Sequence, residues 1–138
     1  MKHAIPAMQK QGWGRIVNIA SVHGLVASIN KSAYVAAKHG LVGLTKVAAL
    51  ENANYGITAN AVCPGWVETP LINQQITAIA HEKNIDVALA KVDLITDKQP
   101  LPHMTQASQV GDLIAFLCSD SASTITGASL PIDGAWTA

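Results

Sequence analysis

The sequence predicts an α/β fold built on a parallel sheet, and three observations predict it. A short β-branched run, Arg15 to Ala20, is followed by a mostly apolar helical pattern from Ser32 to about Ala53, and then by a second short strand, about Thr58 to Cys63. Strand, helix and strand in that order form a parallel pair with a right-handed crossover. Of the 138 residues, 49% are hydrophobic and 13% charged, with 10 glycines, a composition suited to strands covered on both faces.

The elements follow in order. Residues 1 to 11, MKHAIPAMQKQ, read as the end of a helix, and GWG at 12 to 14 breaks it before GRIVNIAS. In the 32 to 53 helix, Gly40 and Gly43 leave thin spots where a sheet or a partner helix can pack closely, and Gly56 closes the element. Residues 68 to about 104 form a long polar excursion with two amphipathic stretches, near Leu71 to Glu82 and Val87 to Ile95, ending in QPLPHM. A connection of that length reads as a functional lid rather than slack. Gln106 to Cys118 reads as an amphipathic helix, and ASLPID, 128 to 133, as a last short strand before Gly134. A chain of this length buries about 65 to 70% of its unfolded surface, so residues 1 to 138 are expected to form a single domain with no second core.

Nine basic and nine acidic residues cancel, and no Lys/Arg run offers a footprint for nucleic acid or an anionic membrane. No apolar run approaches the ~20 residues that span a bilayer, and no signal-peptide pattern opens the chain, so a soluble cytoplasmic protein is expected. Cys63 and Cys118 lack paired spacing and read as buried free thiols; the five histidines are scattered, and no metal site is expected.

The parallel crossover has a geometric consequence. The loop that starts at Ser21 and the loop Pro64-Gly65-Trp66 leave the sheet at the same carboxyl edge, where open α/β sheets bind ligands. Four residues separate Tyr34 from Lys38, which puts both on one face of the helix. Free tyrosine, with a pKa near 10, is a poor base at neutral pH, and a neighbouring ammonium favours its phenolate. Tyr and Lys at this spacing also occur by chance in many helices, and the other tyrosine, Tyr55, has Ala59 there instead. Ser21 at the mouth of the same edge is what favours proton transfer, since it can hold a substrate oxygen while Tyr34 moves the proton.

NIAS at 18 to 21, Tyr34 with Lys38, NAVCPG at 60 to 65 and the following ETP resemble, in order and spacing, the short-chain dehydrogenase/reductase family over essentially the whole chain. The resemblance implies the C-terminal half of a doubly wound Rossmann-type parallel sheet, with about three of the family's seven strands and flanking helices. It implies Ser21, Tyr34 and Lys38 as catalytic residues: Ser21 on the substrate oxygen, Tyr34 in proton transfer, Lys38 on the tyrosine and the nicotinamide ribose. It further implies NAD as cofactor, held by Tyr34, Lys38, Pro64, Gly65, Val67 and Thr69. Five more residues, His23, Lys31, Trp66, Gln75 and Trp136, with the runs GWGRIVNIAS, HGLVAS, NKSAYVAAKHG and CPGW, are similar to those of the family's 3-hydroxybutyrate dehydrogenases. There the histidine, lysine and glutamine would hold a substrate carboxylate and the tryptophans enclose a small carbon chain. The physics agrees, because a carboxylate needs charged or strong donors and an indole offers an apolar wall with one N–H. Taken one at a time, these residues have plainer readings: His23 as a loop cap, Lys31 and Gln75 as solvated side chains, the tryptophans as packing.

The expected function is therefore an NAD-dependent oxidoreductase that interconverts (R)-3-hydroxybutyrate and acetoacetate, with this chain carrying the catalytic and substrate-binding half. A homo-oligomer, a tetramer by the resemblance, is expected through the 1 to 11 and 32 to 53 helices. Two departures stand out: DGAWTA has Ala135 where a second glycine is usual, and residues 86 to 104 match less closely. No glycine-rich dinucleotide turn occurs among these residues, and the family's catalytic asparagine is absent. The alternatives are a non-catalytic truncated α/β association module, or a different short-chain reductase such as an acyl-carrier-protein ketoreductase.

Overall fold

The computed structural model describes all 138 residues. Helix α1 (Ile5–Gln11) opens with Pro6 in its first turn and ends where Gly12 turns left-handed, φ +71°. Strand β1 (Gly14–Ile19) follows, then helix α2 (Ser32–Asn52) and strand β2 (Ile57–Pro64). The two strands pair in parallel from Gly14 opposite Ile57 to Ile19 opposite Val62. Strand β5 (Ser129–Ile132) pairs in parallel with the other side of β2, giving the order β1, β2, β5. The strand-helix-strand unit expected from the sequence is present, with ends shifted by a residue or so.

All eight residues of β2 are buried, because helices cover both faces of the central strand. On one face Ala59, Ala61 and Cys63 meet Val42, Ala48 and Ala49 of α2. Such small side chains let helix and sheet approach closely. On the other face Val62 packs with Leu117 of helix α5 (Ala107–Cys118) and with Ala122. Buried Asn60 and half-buried Asn18 satisfy polar groups that would otherwise be stranded. Asn60 donates to Ile125 O at 2.7 Å and accepts from Ala128 N–H at 3.1 Å, while Asn18 donates to Thr45 Oγ1 at 2.8 Å. Gly40 and Gly43 of α2 have open space within 4 Å, so within this chain no element uses those thin spots. Cys118 is exposed on α5, against the expectation of two buried thiols; only Cys63 is buried, and burial pushes its thiol above the usual range.

The excursion folds as two helices with a core of their own. Thr69 caps α3 (Pro70–Lys83), accepting from Ile72 N–H, and Asp86 caps α4 (Val87–Thr96), accepting from Ala88 N–H at 2.7 Å. Ile72, Ile76 and Ala80 of α3 pack against Ala90 and Ile95 of α4 and against Met104, with Trp66 at the margin. The sequence reading missed what ties the two ends together: strands β3 (Val67–Glu68) and β4 (Thr105–Gln106) form a two-residue parallel ladder. Glu68 reinforces it by bonding to Lys91 at 2.8 Å and Gln106 at 2.7 Å, and both hold its carboxyl below the usual range.

Gly65 lies where β2 and the end of β5 almost touch. A Cβ there would stand 2.9 Å from Asp133 Cα, a backbone atom that cannot swing aside. Gly65→Ala should lower stability by about 1–3 kcal/mol, the usual cost of overpacking. The check is the urea midpoint at unchanged m-value; a midpoint equal to that of the parent would contradict this packing.

Candidate active site

The site begins at the last peptide of β1. Ala20 N–H donates to Val62 O at 2.8 Å, so the ladder carries the chain one residue past the strand and sets Ser21 at the sheet edge. Ser21 is extended, and its Oγ accepts from His23 N–H at 3.1 Å, which caps the tight turn Val22–Gly24. This hydrogen bond brings the imidazole back toward the serine. His23 Nδ1 lies 3.4 Å from Ser21 Oγ, and Nε2 lies 2.9 Å from Ser28 Oγ. Two hydroxyls thus fix the ring in a buried position. Burial lowers the pKa of His23 below the ordinary histidine value, and the Lys31 charge lowers it further.

Helix α2 supplies the opposite wall. Gly24 packs so tightly on it that a Cβ would sit 2.9 Å from Lys38 O, and the loop after β1 therefore lies directly against the turn bearing Tyr34 and Lys38. Lys38 Nζ donates to Ile19 O at 3.0 Å and stands 5.6 Å from the centroid of the Tyr34 ring. Tyr34 is 48% exposed, which leaves the ring accessible from the cleft, and its centroid is 5.7 Å from that of His23 in an edge-on contact.

The aromatic wall comes from two more loops. Trp66 follows the Pro64-Gly65 turn at the end of β2, and Trp136 follows β5; their centroids are 5.4 Å apart, with Trp136 also 5.6 Å from His23. Lys31 places its ammonium 5.8 Å from the Trp66 ring, within cation–π range. The Trp66 indole nitrogen is buried and has no hydrogen-bond partner.

These groups enclose a cleft of about 610 Å³, which Leu71 and Gln75 of α3 complete. Of the residues singled out in the sequence, Ser21, His23, Lys31, Tyr34, Gly65, Trp66, Gln75 and Trp136 line it. Lys38 does not; it stands behind Tyr34 on the β1 edge. Pro64 is buried at the end of β2, Val67 pairs in β3, and Thr69 caps α3, all outside the cleft wall. Sequence reasoning missed Asn30, left-handed at φ +60°, together with Ser32, Ala33 and Leu71 in the lining. It also missed Ser28 behind His23, because a contact five residues away across an irregular loop has no periodic signature.

The residues present fit the nicotinamide end of a dinucleotide: a phenol, an ammonium and the loop from Pro64 to Thr69 gather at the carboxyl edge. They do not include a pyrophosphate cradle. Gly12 ends α1 and Gly14 packs beneath Met8, so GWG opens onto a strand and no helix N-terminus follows it.

The chain is similar to known proteins over nearly its whole length. A family model described as enoyl-(acyl carrier protein) reductase, of the short-chain dehydrogenase group, matches residues 1–137. The chain is 53% identical over 135 residues to a D-beta-hydroxybutyrate dehydrogenase of Cupriavidus necator, covering 98% of this chain and 52% of that protein. It is 49% identical to a D-beta-hydroxybutyrate dehydrogenase of Rhizobium meliloti, over 100% of this chain and 54% of the relative. The chain thus spans about half the length of the curated relatives it matches. Among solved structures, a variant of actinorhodin polyketide ketoreductase with NADPH superposes at a TM-score of 0.83 and 40% identity, over 94% of this chain and 49% of the other. On the matched motifs, the parallel sheet and these relatives, the chain belongs to the short-chain dehydrogenase/reductase family.

Proposed function

We propose that this chain carries the catalytic and substrate-binding half of an NAD-dependent oxidoreductase that interconverts (R)-3-hydroxybutyrate and acetoacetate. One observation carries the reading: His23, Lys31 and Gln75 share a single small cleft with Ser21 and Tyr34, and two tryptophans wall it. A short acid with an oxygen at its third carbon matches that combination of cationic, amide and apolar groups. Names of relatives at 53% and 49% identity support it.

In this reading His23, Lys31 and Gln75 hold the carboxylate, and the indoles of Trp66 and Trp136 exclude water from the carbon chain. Ser21 Oγ hydrogen-bonds the reacting oxygen. Tyr34 takes the hydroxyl proton during oxidation and returns it during reduction, and the Lys38 ammonium stabilises the negative charge that develops on the phenol oxygen. When bound, a nicotinamide dinucleotide supplies the hydride acceptor, with Tyr34, Lys38, Pro64, Gly65, Val67 and Thr69 as the residues that would hold it. NAD follows from the resemblance to the hydroxybutyrate enzymes, whereas the ketoreductase neighbour was solved with NADPH, so both reduced cofactors belong in the test. Self-association through α1 and α2 is part of the same proposal, supported by the apolar side chains Leu44, Val47 and Leu50 that α2 exposes.

Three measurements follow. In a chimera that joins a relative's preceding half to this chain, Tyr34→Phe should lower kcat for acetoacetate reduction by about 10²–10⁴; unchanged turnover would remove Tyr34 from the chemistry. A bound carboxylate favours the imidazolium of His23, whose free pKa is lowered, so binding takes up a proton. Acetoacetate affinity should therefore rise as pH falls toward the lowered pKa of free His23, and His23→Gln should flatten the profile. A pH-independent affinity in the unaltered chain would place the carboxylate elsewhere. Finally, Leu50→Glu should shift sedimentation of the chain toward monomer, and a parent that is already monomeric would end the association proposal.

A further inference from the structure

The turn after β5 contains an arrangement the reaction does not use. Asp133 is buried, at 7% exposure, and no cation pairs with it. Its carboxylate is held entirely by the residues that follow. Oδ1 accepts from Ala135 N–H at 3.1 Å, and Oδ2 accepts from Thr137 N–H at 3.0 Å and from Thr137 Oγ1 at 2.6 Å. Closing this loop requires two successive left-handed residues, Gly134 at φ +61° and Ala135 at φ +69°, and alanine adopts that conformation only under strain.

The clasp has one side chain at its centre. Trp136 lies between the two hydrogen-bonded positions, its own N–H donates to Asp133 O at 3.3 Å, and its ring meets His23 and Trp66. The other side of the turn is anchored to the return of the excursion. Leu101 N–H donates to Gly134 O at 3.2 Å, and the buried Gln99, which donates to Leu101 O and His103 O, packs against Gly134. The backbone on both sides of Trp136 is therefore fixed.

We propose that Asp133 and Thr137 are positioning residues for Trp136, and that the 133–137 turn thereby sets the width of the cleft and the chain length it admits. The specificity part rests on the reading of the cleft as a small keto-acid site; the positioning part does not. Thr137 follows the last strand, so no sheet hydrogen bond depends on its side chain.

The test uses the chain with Trp13→Phe, which removes the exposed tryptophan remote from the cleft and leaves the Trp66–Trp136 pair as reporters. Thr137→Val deletes the hydroxyl at nearly constant shape, and Thr137→Ser keeps it. In the ligand-free, still folded state Thr137→Val should red-shift the emission and raise acrylamide quenching about twofold. It should weaken acetoacetate binding about tenfold, the scale of one lost hydrogen bond to a charged group, and reduce discrimination against 3-oxohexanoate. Thr137→Ser should restore all four. Emission and quenching of Thr137→Val identical to the parent would overturn the proposal. A parent that binds no acetoacetate, alongside a changed emission in Thr137→Val, would overturn the substrate reading and leave the positioning of Trp136 standing. Should Thr137→Val unfold, Thr137→Ala takes its place as the variant without the hydroxyl: quenching above that of the parent would count for the clasp, and equality would count against it.

Discussion

The cleft depends on how closely α2 lies on the sheet. Strand β2 presents only Ala59, Ala61 and Cys63 to that helix, which answers with Ala48, Ala49 and Val42. Any larger side chain in this seam would lift α2, and with it Tyr34 and Lys38, away from the loop that Ser21 begins. The same closeness sets Gly24 against the backbone of α2 with no room for a methyl group. The edge that gathers hydroxyl, phenol and ammonium is thus built on small side chains, and close packing supplies its rigidity.

A second constraint governs the far wall. Trp66 and Trp136 come from different strands, yet their rings meet because β2 and β5 run in register from Ala61 opposite Ser129 to Pro64 opposite Ile132. That register delivers the loops after both strands to the same level. The excursion between them then adds Leu71 and Gln75 from α3, and its two ends are clamped by the β3–β4 ladder. Cleft-lining groups therefore come from every loop at the carboxyl edge of the sheet.

Much of this was legible in the sequence, for physical reasons. β-branched runs and a helical apolar pattern identify a parallel unit, and parallel pairing alone brings Ser21 and Trp66 to one edge. The helical repeat alone pairs Tyr34 with Lys38. His23, Lys31, Gln75 and Trp136 were legible only through resemblance, since they come from an irregular loop, a helix start, a separate helix and the last turn. What sequence did not disclose are supports made by contacts without period: Ser28 behind His23, the Asp133–Thr137 clasp, and the two-residue ladder that ties the excursion. Tertiary contacts alone make the ladder, because strands that short carry no alternation of their own. Cys118 was misplaced for a related reason: thiols are usually buried, but the last turn of α5 happens to face solvent.

The bond from Lys38 Nζ to Ile19 O has a consequence for cooperativity. Ile19 is the last residue of β1, whose partner within this chain is β2. Whatever firms the final peptide of β1 also fixes the lysine beside Tyr34, and by thermodynamic reciprocity a ligand that engages the lysine stiffens the strand end in return. The end of β1 and the lysine beside Tyr34 are therefore ordered together, through one hydrogen bond.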